Sequence, residues 1–181
     1  GGGQPRLAFA EGGFRLDLPE DLVQLVGGDL LRDVKVVGVP TLESLEVDSG
    51  TVRLEASAHV RDGVTAADDV VLRMRRRGTE ELIDLPGEEK RPTTSEGLPG
   101  LRFRAEIEAA DLDKGVWDLW VVQRFGEVEL ENRLGRHRGE TVSDERRLLI
   151  DATAGGRDLG VAYFTKGHGN VSLDIGYTLL G

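Results

Sequence analysis

A chain of 181 residues, 39% hydrophobic, 31% charged and 5% aromatic, has the composition of a globular protein and excludes a disordered or fibrous one. Thirty-three acidic against 23 basic residues give a formal net charge of −10, which disfavours unspecific attraction to an anionic membrane surface and implies no nucleic-acid partner. Zero cysteines exclude disulfides, thiol catalysis and thiolate metal sites and fit a reducing compartment, while the length supports a core without such staples.

The chain opens Gly1-Gly2-Gly3-Gln4-Pro5 and carries its only methionine at Met74. It therefore reads as a tagged piece of a longer protein, and this start has neither the basic end nor the apolar stretch of a signal peptide. No apolar run approaches the ~18 to 20 residues of a membrane span, so no transmembrane segment is expected. Only four of the basic residues are Lys, an Arg bias associated with GC-rich, actinobacterial-like genomes.

Arg6 to Ala10 and Phe14 to Leu18, broken by Glu11-Gly12-Gly13, predict a hairpin, and Pro19 to Leu25 predicts the start of a short helix. In Thr51 to Asp62, Val52, Leu54, Ala56, Ala58 and Val60 alternate with Arg53, Glu55, Ser57, His59 and Arg61, the pattern of a strand with one buried and one wet face. Val70, Leu72 and Met74 alternate with Arg73 and Arg75 in the same way, as do Phe103, Ala105 and Ile107 with Arg102, Arg104, Glu106 and Glu108. Gly115 to Arg124 and Val128 to Leu134 flank Gly126 as a second hairpin. Turn chemistry at Asp48-Ser49-Gly50, Arg61-Asp62-Gly63, Leu85-Pro86-Gly87 and Leu98-Pro99-Gly100 punctuates these runs. The charged stretch Gly87 to Gly97 is expected to be a mobile loop. Leu148 to Ile150, Gly160 to Phe164 and Asn170 to Ile175 are strand-like, with Gly167-His168-Gly169 as a turn.

The expected fold is all-β: an antiparallel immunoglobulin-like β-sandwich over residues 41–140, with additional terminal β strands. Residues 1–40 form an N-terminal β segment and 141–181 a C-terminal one. Neither end can bury its apolar residues alone, so the two are expected to pack together as a small β unit or as extra strands on the sandwich.

Common catalytic anchors are missing. Gly-x-Ser-x-Gly, Gly-x-x-x-x-Gly-Lys-Ser/Thr and Gly-x-Gly-x-x-Gly do not occur, which removes the usual nucleophile-elbow and nucleotide-binding readings. His59, His137 and His168 are far apart in sequence and lack a metal-binding spacing, so no metal site or cofactor is expected and ordinary surface positions account for them. Asp111-Leu112-Asp113 reads as turn punctuation before a strand rather than as a cation site. Asn170-Val171-Ser172 meets the N-glycosylation pattern but is discounted for a bacterial source.

The constellation that carries chemistry lies on the strands at 70–75, 117–124 and 128–134. With Trp117, Leu119 and Val121 inward, Trp120, Val122 and Arg124 point outward, beside Arg73 and Arg75 if those strands pair. An indole next to guanidinium groups can stack on a sugar and hold phosphate or carboxylate oxygens; covering by the terminal segments or by a second subunit are the alternatives. Arg75-Arg76-Arg77 is a solvated strand end or an anion-facing rim extended by Arg133, Arg136 and Arg138. Trp120, Arg73, Arg75, Arg124 and Arg133 are thus the candidate ligand-binding or interface residues, and no catalytic residue stands out.

Gly115-Val116-Trp117-Asp118-Leu119-Trp120-Val121 followed by Asn132-Arg133-Leu134-Gly135, and later Ala162-Tyr163-Phe164-Thr165-Lys166-Gly167-His168-Gly169-Asn170-Val171-Ser172-Leu173, resemble the non-catalytic β-rich regions of bacterial cell-wall polymer glycosyltransferases and glycerophosphotransferases of the wall-teichoic-acid type. The resemblance covers about 40 residues in two patches and implies an accessory module that accompanies a separate catalytic domain. It implies either homo-oligomerisation or contact with an anionic cell-wall polymer or glycan. The implied location is the cytoplasm, at the inner face of the membrane, within a larger protein. A carbohydrate-active enzyme with paired carboxylates, expected to hold one carboxyl at a raised pKa in an acidic cleft, is the rival reading, and a purely structural spacer is a third.

Overall fold

The computed structural model describes residues 6–17, 35–93, 98–143, 147–152 and 157–178. In chain order its strands are β1 (Arg6–Ala10), β2 (Gly13–Asp17), β3 (Gly38–Asp48), β4 (Thr51–Val60), β5 (Asp69–Arg76), β6 (Leu82–Pro86), β7 (Glu88–Pro92), β8 (Gly100–Glu108), β9 (Gly115–Phe125), β10 (Val128–Arg133), β11 (His137–Arg138), β12 (Arg147–Ala152), β13 (Arg157–Phe164) and β14 (Val171–Ile175). A 3-10 turn, Ala109–Asp111, is the one helical element among the described residues. The helix expected from Pro19 to Leu25 lies outside them.

The fold is an all-β sandwich. One sheet has five strands in the order β11-β3-β4-β8-β7; the other has seven, ordered β12-β13-β14-β9-β5-β6, with β10 also paired to β9. Pairing is antiparallel throughout except between β11 and β3. Alternation decides which residues enter the space between the sheets. Leu54 and Ala56 of β4, Leu72 and Met74 of β5, Phe103 and Ile107 of β8 and Trp117 and Leu119 of β9 are all buried there. Trp117 has no exposed surface, and its indole N–H donates to the Asp113 carbonyl at 2.9 Å, so the Asp111-Leu112-Asp113 turn satisfies the one polar atom the ring carries inward.

The strand at Glu88–Pro92 corrects the loop expected there. All five of its residues are exposed, so no hydrophobic alternation marks it. It sits at the edge of the smaller sheet against β8, where charges and a proline are tolerated because one side of the strand faces water. β3 is interrupted by an irregularity between Leu42 and Ser44.

The hairpin β1–β2 packs as a lid at one end of the sandwich. Phe9, Phe14 and Phe125 meet with ring centroids 4.8 to 5.5 Å apart, and Leu7 exchanges backbone hydrogen bonds with Asp62 and Val64. The C-terminal strands β12–β14 instead extend the seven-stranded sheet, joined to it through β14 and β9.

Strand β9 is the organising element. One of its edges is covered by β5 over Trp117–Arg124, while the other is shared: β14 pairs with Gly115–Asp118 and β10 with Trp120–Phe125. Where one partner hands over to the next, the Leu134 N–H donates to the Leu119 carbonyl and the Val171 N–H to the Leu134 carbonyl. Gly135 follows with φ +126°, and a Cβ there would lie 2.6 Å from the Val171 nitrogen; only glycine fits this crossing.

Candidate functional site

The outward face of the seven-stranded sheet gathers all five candidate residues. Arg73 on β5 lies opposite Trp120 on β9, which lies opposite Arg133 on β10. The adjacent row runs Arg147, Tyr163, Ser172, Asp118, Arg75, Leu82 across six strands. Arg124 ends the face, between Asp69 and Glu129.

These guanidiniums are not free. Arg73 is 11% exposed and makes a forked contact with Asp84 at 2.8 and 2.9 Å, and reaches Glu131 at 3.1 Å. Arg75 grips Glu131 with a second fork, at 2.6 and 2.9 Å. Arg124 donates to Glu129 at 3.2 Å, and Arg77 to both oxygens of Asp118. Hydrogen bonds from Arg73 hold the Asp84 pKa below the ordinary carboxylate value, those from Arg75 do the same for Glu131, and Asp84 in turn holds Arg73 far above the ordinary guanidinium value. Planar two-point pairing of this kind is the strongest side-chain ion contact available at a partly exposed site. The result is a ladder of alternating charge that neutralises itself.

Trp120 sits within the ladder rather than on top of it. It is half-buried, its indole nitrogen is buried without an acceptor among the described residues, and the Arg133 guanidinium lies 5.4 Å from its ring centre, within cation–π range. Val122, expected to point outward, lies on this face by register but is fully buried. It is flanked by Val71 and Glu131, in a face whose long charged side chains cover apolar surface with their stems.

Arg133 occupies the crossing from β10 to β14. Its Nη2 donates to the Val171 carbonyl at 3.2 Å and the Ser172 hydroxyl at 3.1 Å and lies 3.3 Å from Asp118. Burial lowers its pKa, against the opposing effect of Asp118. Arg138, by contrast, lies over the Phe164 ring at 3.6 Å and donates to the Gly135 and Gly169 carbonyls, fixing the 165–169 turn.

The carboxylates that make the ladder, Asp84, Asp118, Glu129 and Glu131, were not among the candidates. They face the arginines only because of strand register, which no local motif announces. The histidines are also brought nearer than their spacing suggests: His137 shares one cleft with His168 and another with His59. Burial first, then the neighbouring His137 charge, lowers the His59 pKa. No group of three or more His, Asp or Glu with metal-binding geometry occurs among the described residues, and no helix among them is long and apolar enough to cross a membrane. A groove of about 410 Å³ lies on the outer face of the smaller sheet between Arg53, Arg104 and the carboxylates of Glu46, Glu55, Glu88 and Glu106. Arg53 is paired with Glu106 there.

Comparison with solved structures finds the same fold in the crystal structure of S. aureus TarS 217-571, with a TM-score of 0.58 at 19% identity over 93% of this chain. The crystal structure of S. aureus TarS matches with a TM-score of 0.57 at 18% identity over 93% of this chain. The chain spans 45% and 28% of those two chains. No curated protein sequence matches. The family model described as TarS beta-glycosyltransferase C-terminal domain 1 matches residues 37–175, from the start of the five-stranded sheet to the last residue of β14. This chain therefore belongs to the family of the first C-terminal domain of TarS-type beta-glycosyltransferases.

Proposed function

We propose that the domain is a non-catalytic accessory module of a cell-envelope glycan or polyol-phosphate transferase, and that it works by holding copies of the enzyme together. The observation that carries this is Leu149. It is 61% exposed on β12, the outermost strand of the seven-stranded sheet. An edge strand with an apolar side chain in water is an invitation to pair with another chain, one that monomeric proteins normally blunt with charge or proline. Leu82, on β6 at the opposite edge, is 43% exposed.

The charge ladder supports the same reading. A polymer phosphate would have to displace Asp84 or Glu131 from two-point contacts that Arg73 and Arg75 already make, so the face offers an anion little. Trp120 and its four arginines thus serve to stiffen the sheet that presents β12. The glycosidase-like alternative needs one carboxyl held protonated near neutral pH. Among the described residues, each carboxyl with a shifted pKa is shifted down, Glu55 in the groove on the smaller sheet by its bond from Arg102 included. On this reading the domain works in the cytoplasm, at the inner face of the membrane, as part of a longer transferase chain.

The test is the concentration dependence of thermal unfolding. For a self-associating chain the midpoint rises with protein concentration. Wild type is expected to show that rise and Leu149→Lys to lack it; a wild-type midpoint independent of concentration overturns the reading.

A further inference from the structure

The crossing from β10 to β14 opens a cleft of about 250 Å³ beside the backbone of Val37–Pro40. Its lining includes Arg61, Arg133, Arg136, His137, His168 and Asn170, and no carboxylate among the described residues lines it. In a chain with formal net charge −10, three guanidiniums and two imidazoles around one carboxylate-free hollow are a local reversal of sign. They come from three separate stretches of sequence, so a single charge run does not explain them.

Two features separate this cleft from the ladder. Arg73, Arg75 and Arg124 are each held by a carboxylate, whereas Arg61 and Arg136 have no ion-pair partner among the described residues. The Nε of Arg133 is buried and without an acceptor there, although its Nη2 is used three times. A desolvated guanidinium with an unused N–H is stabilised by a further anion.

We propose that this cleft is a phosphate-binding site. A phosphate group presents several strong acceptor oxygens at once, which suits the planar fork of an arginine flanked by imidazole and amide donors. The hollow is smaller than a typical drug-sized pocket and takes a phosphate with a short polyol or sugar arm. Arg136 and His168 are exposed at its mouth and make the adjustable contacts; Arg133 is the fixed one. The site is independent of self-association at β12, since β12 contributes nothing to it.

The test is a titration of the isotope-labelled chain, following backbone amides of residues 135–138 and 167–170 by nuclear magnetic resonance. Inorganic phosphate and a short poly(glycerol phosphate) are added in separate arms, to distinguish the free ion from a phosphodiester chain. Saturable shifts confined to those amides are expected in at least one arm, weakened roughly 10-fold or more in Arg136→Ala/His168→Ala. That variant alters only exposed side chains, and Arg53→Ala, on the other sheet, is expected to bind as wild type does. Saturation by the polymer alone assigns a phosphodiester ligand; saturation by both assigns the phosphate group itself. No saturation in either arm by about 50 mM phosphate equivalents, or shifts indifferent to the double variant, overturns the proposal.

Discussion

Ser172 donates its hydroxyl to Asp118 Oδ1 at 2.6 Å, tying β14 to the central strand β9 on the outward face of the larger sheet. Arg77 and Arg133 converge on the same carboxylate. The C-terminal strands, and with them the exposed edge at β12, are therefore attached through one charged residue as well as through the backbone ladder.

Burial alone would raise the Asp118 pKa. The hydrogen bonds from Arg77 and Ser172, with the charge of Arg133, outweigh it and leave the group below the ordinary carboxylate value. A carboxyl depressed in the folded state stabilises above its unfolded pKa, and that contribution is lost as pH falls through the folded value. Asp118→Asn is expected to lose about 2 kcal/mol at neutral pH. The gap to wild type should narrow below about pH 4, as read by urea denaturation at both pH values. A gap that stays constant with pH would refute the electrostatic origin.

Gly135→Ala meets both a left-handed backbone and a Cβ position 2.6 Å from the Val171 nitrogen. The expected cost is about 3 kcal/mol, seen as a lower denaturation midpoint. Hydrogen exchange should quicken first in β14, whose entry into the sheet the crossing sets.

Glu131 neutralises both Arg73 and Arg75. Glu129→Gln/Glu131→Gln leaves three arginines of the face with Asp84 alone among their present carboxylate partners. The double variant is expected to elute from a heparin column at distinctly higher salt than wild type. Unchanged elution would mean that the face was not self-neutralised to begin with.

Phe14→Ala removes one ring from the cluster with Phe9 and Phe125. The expected loss is about 2 kcal/mol, confined to the hairpin: amides of β1 and β2 lose exchange protection while those of β4, β8 and β9 keep theirs. Uniform loss across the sandwich would show that the lid is part of the cooperative core.

Period-two alternation made β4, β8 and β9 legible, because each has one face in the core and one in water. The same alternation put Trp120 outward, and the observed register sets Arg73 directly opposite it. Glu88–Pro92 left no such trace, since an edge strand with every residue exposed has nothing to alternate. The ladder was half legible: its arginines stood out as a set, but their carboxylates reside on β6, β9 and β10 and meet them only through pairing across 11 to 58 residues of chain. The cleft at the crossing was less legible still. Arg133, Arg136 and Arg138 form a visible basic run, yet Arg138 turns to Phe164, while Arg61 and His168 arrive from strand ends that only the fold brings near.

The most direct measurement is the light-scattering mass of the wild-type chain between about 10 and 200 µM, beside Leu149→Lys and Trp120→Ala. Self-association through β12 predicts a wild-type mass that is a multiple of 19.7 kDa, a single-chain mass for folded Leu149→Lys, and an oligomer retained by the less stable Trp120→Ala. A wild-type chain that stays at 19.7 kDa over that whole range would contradict it.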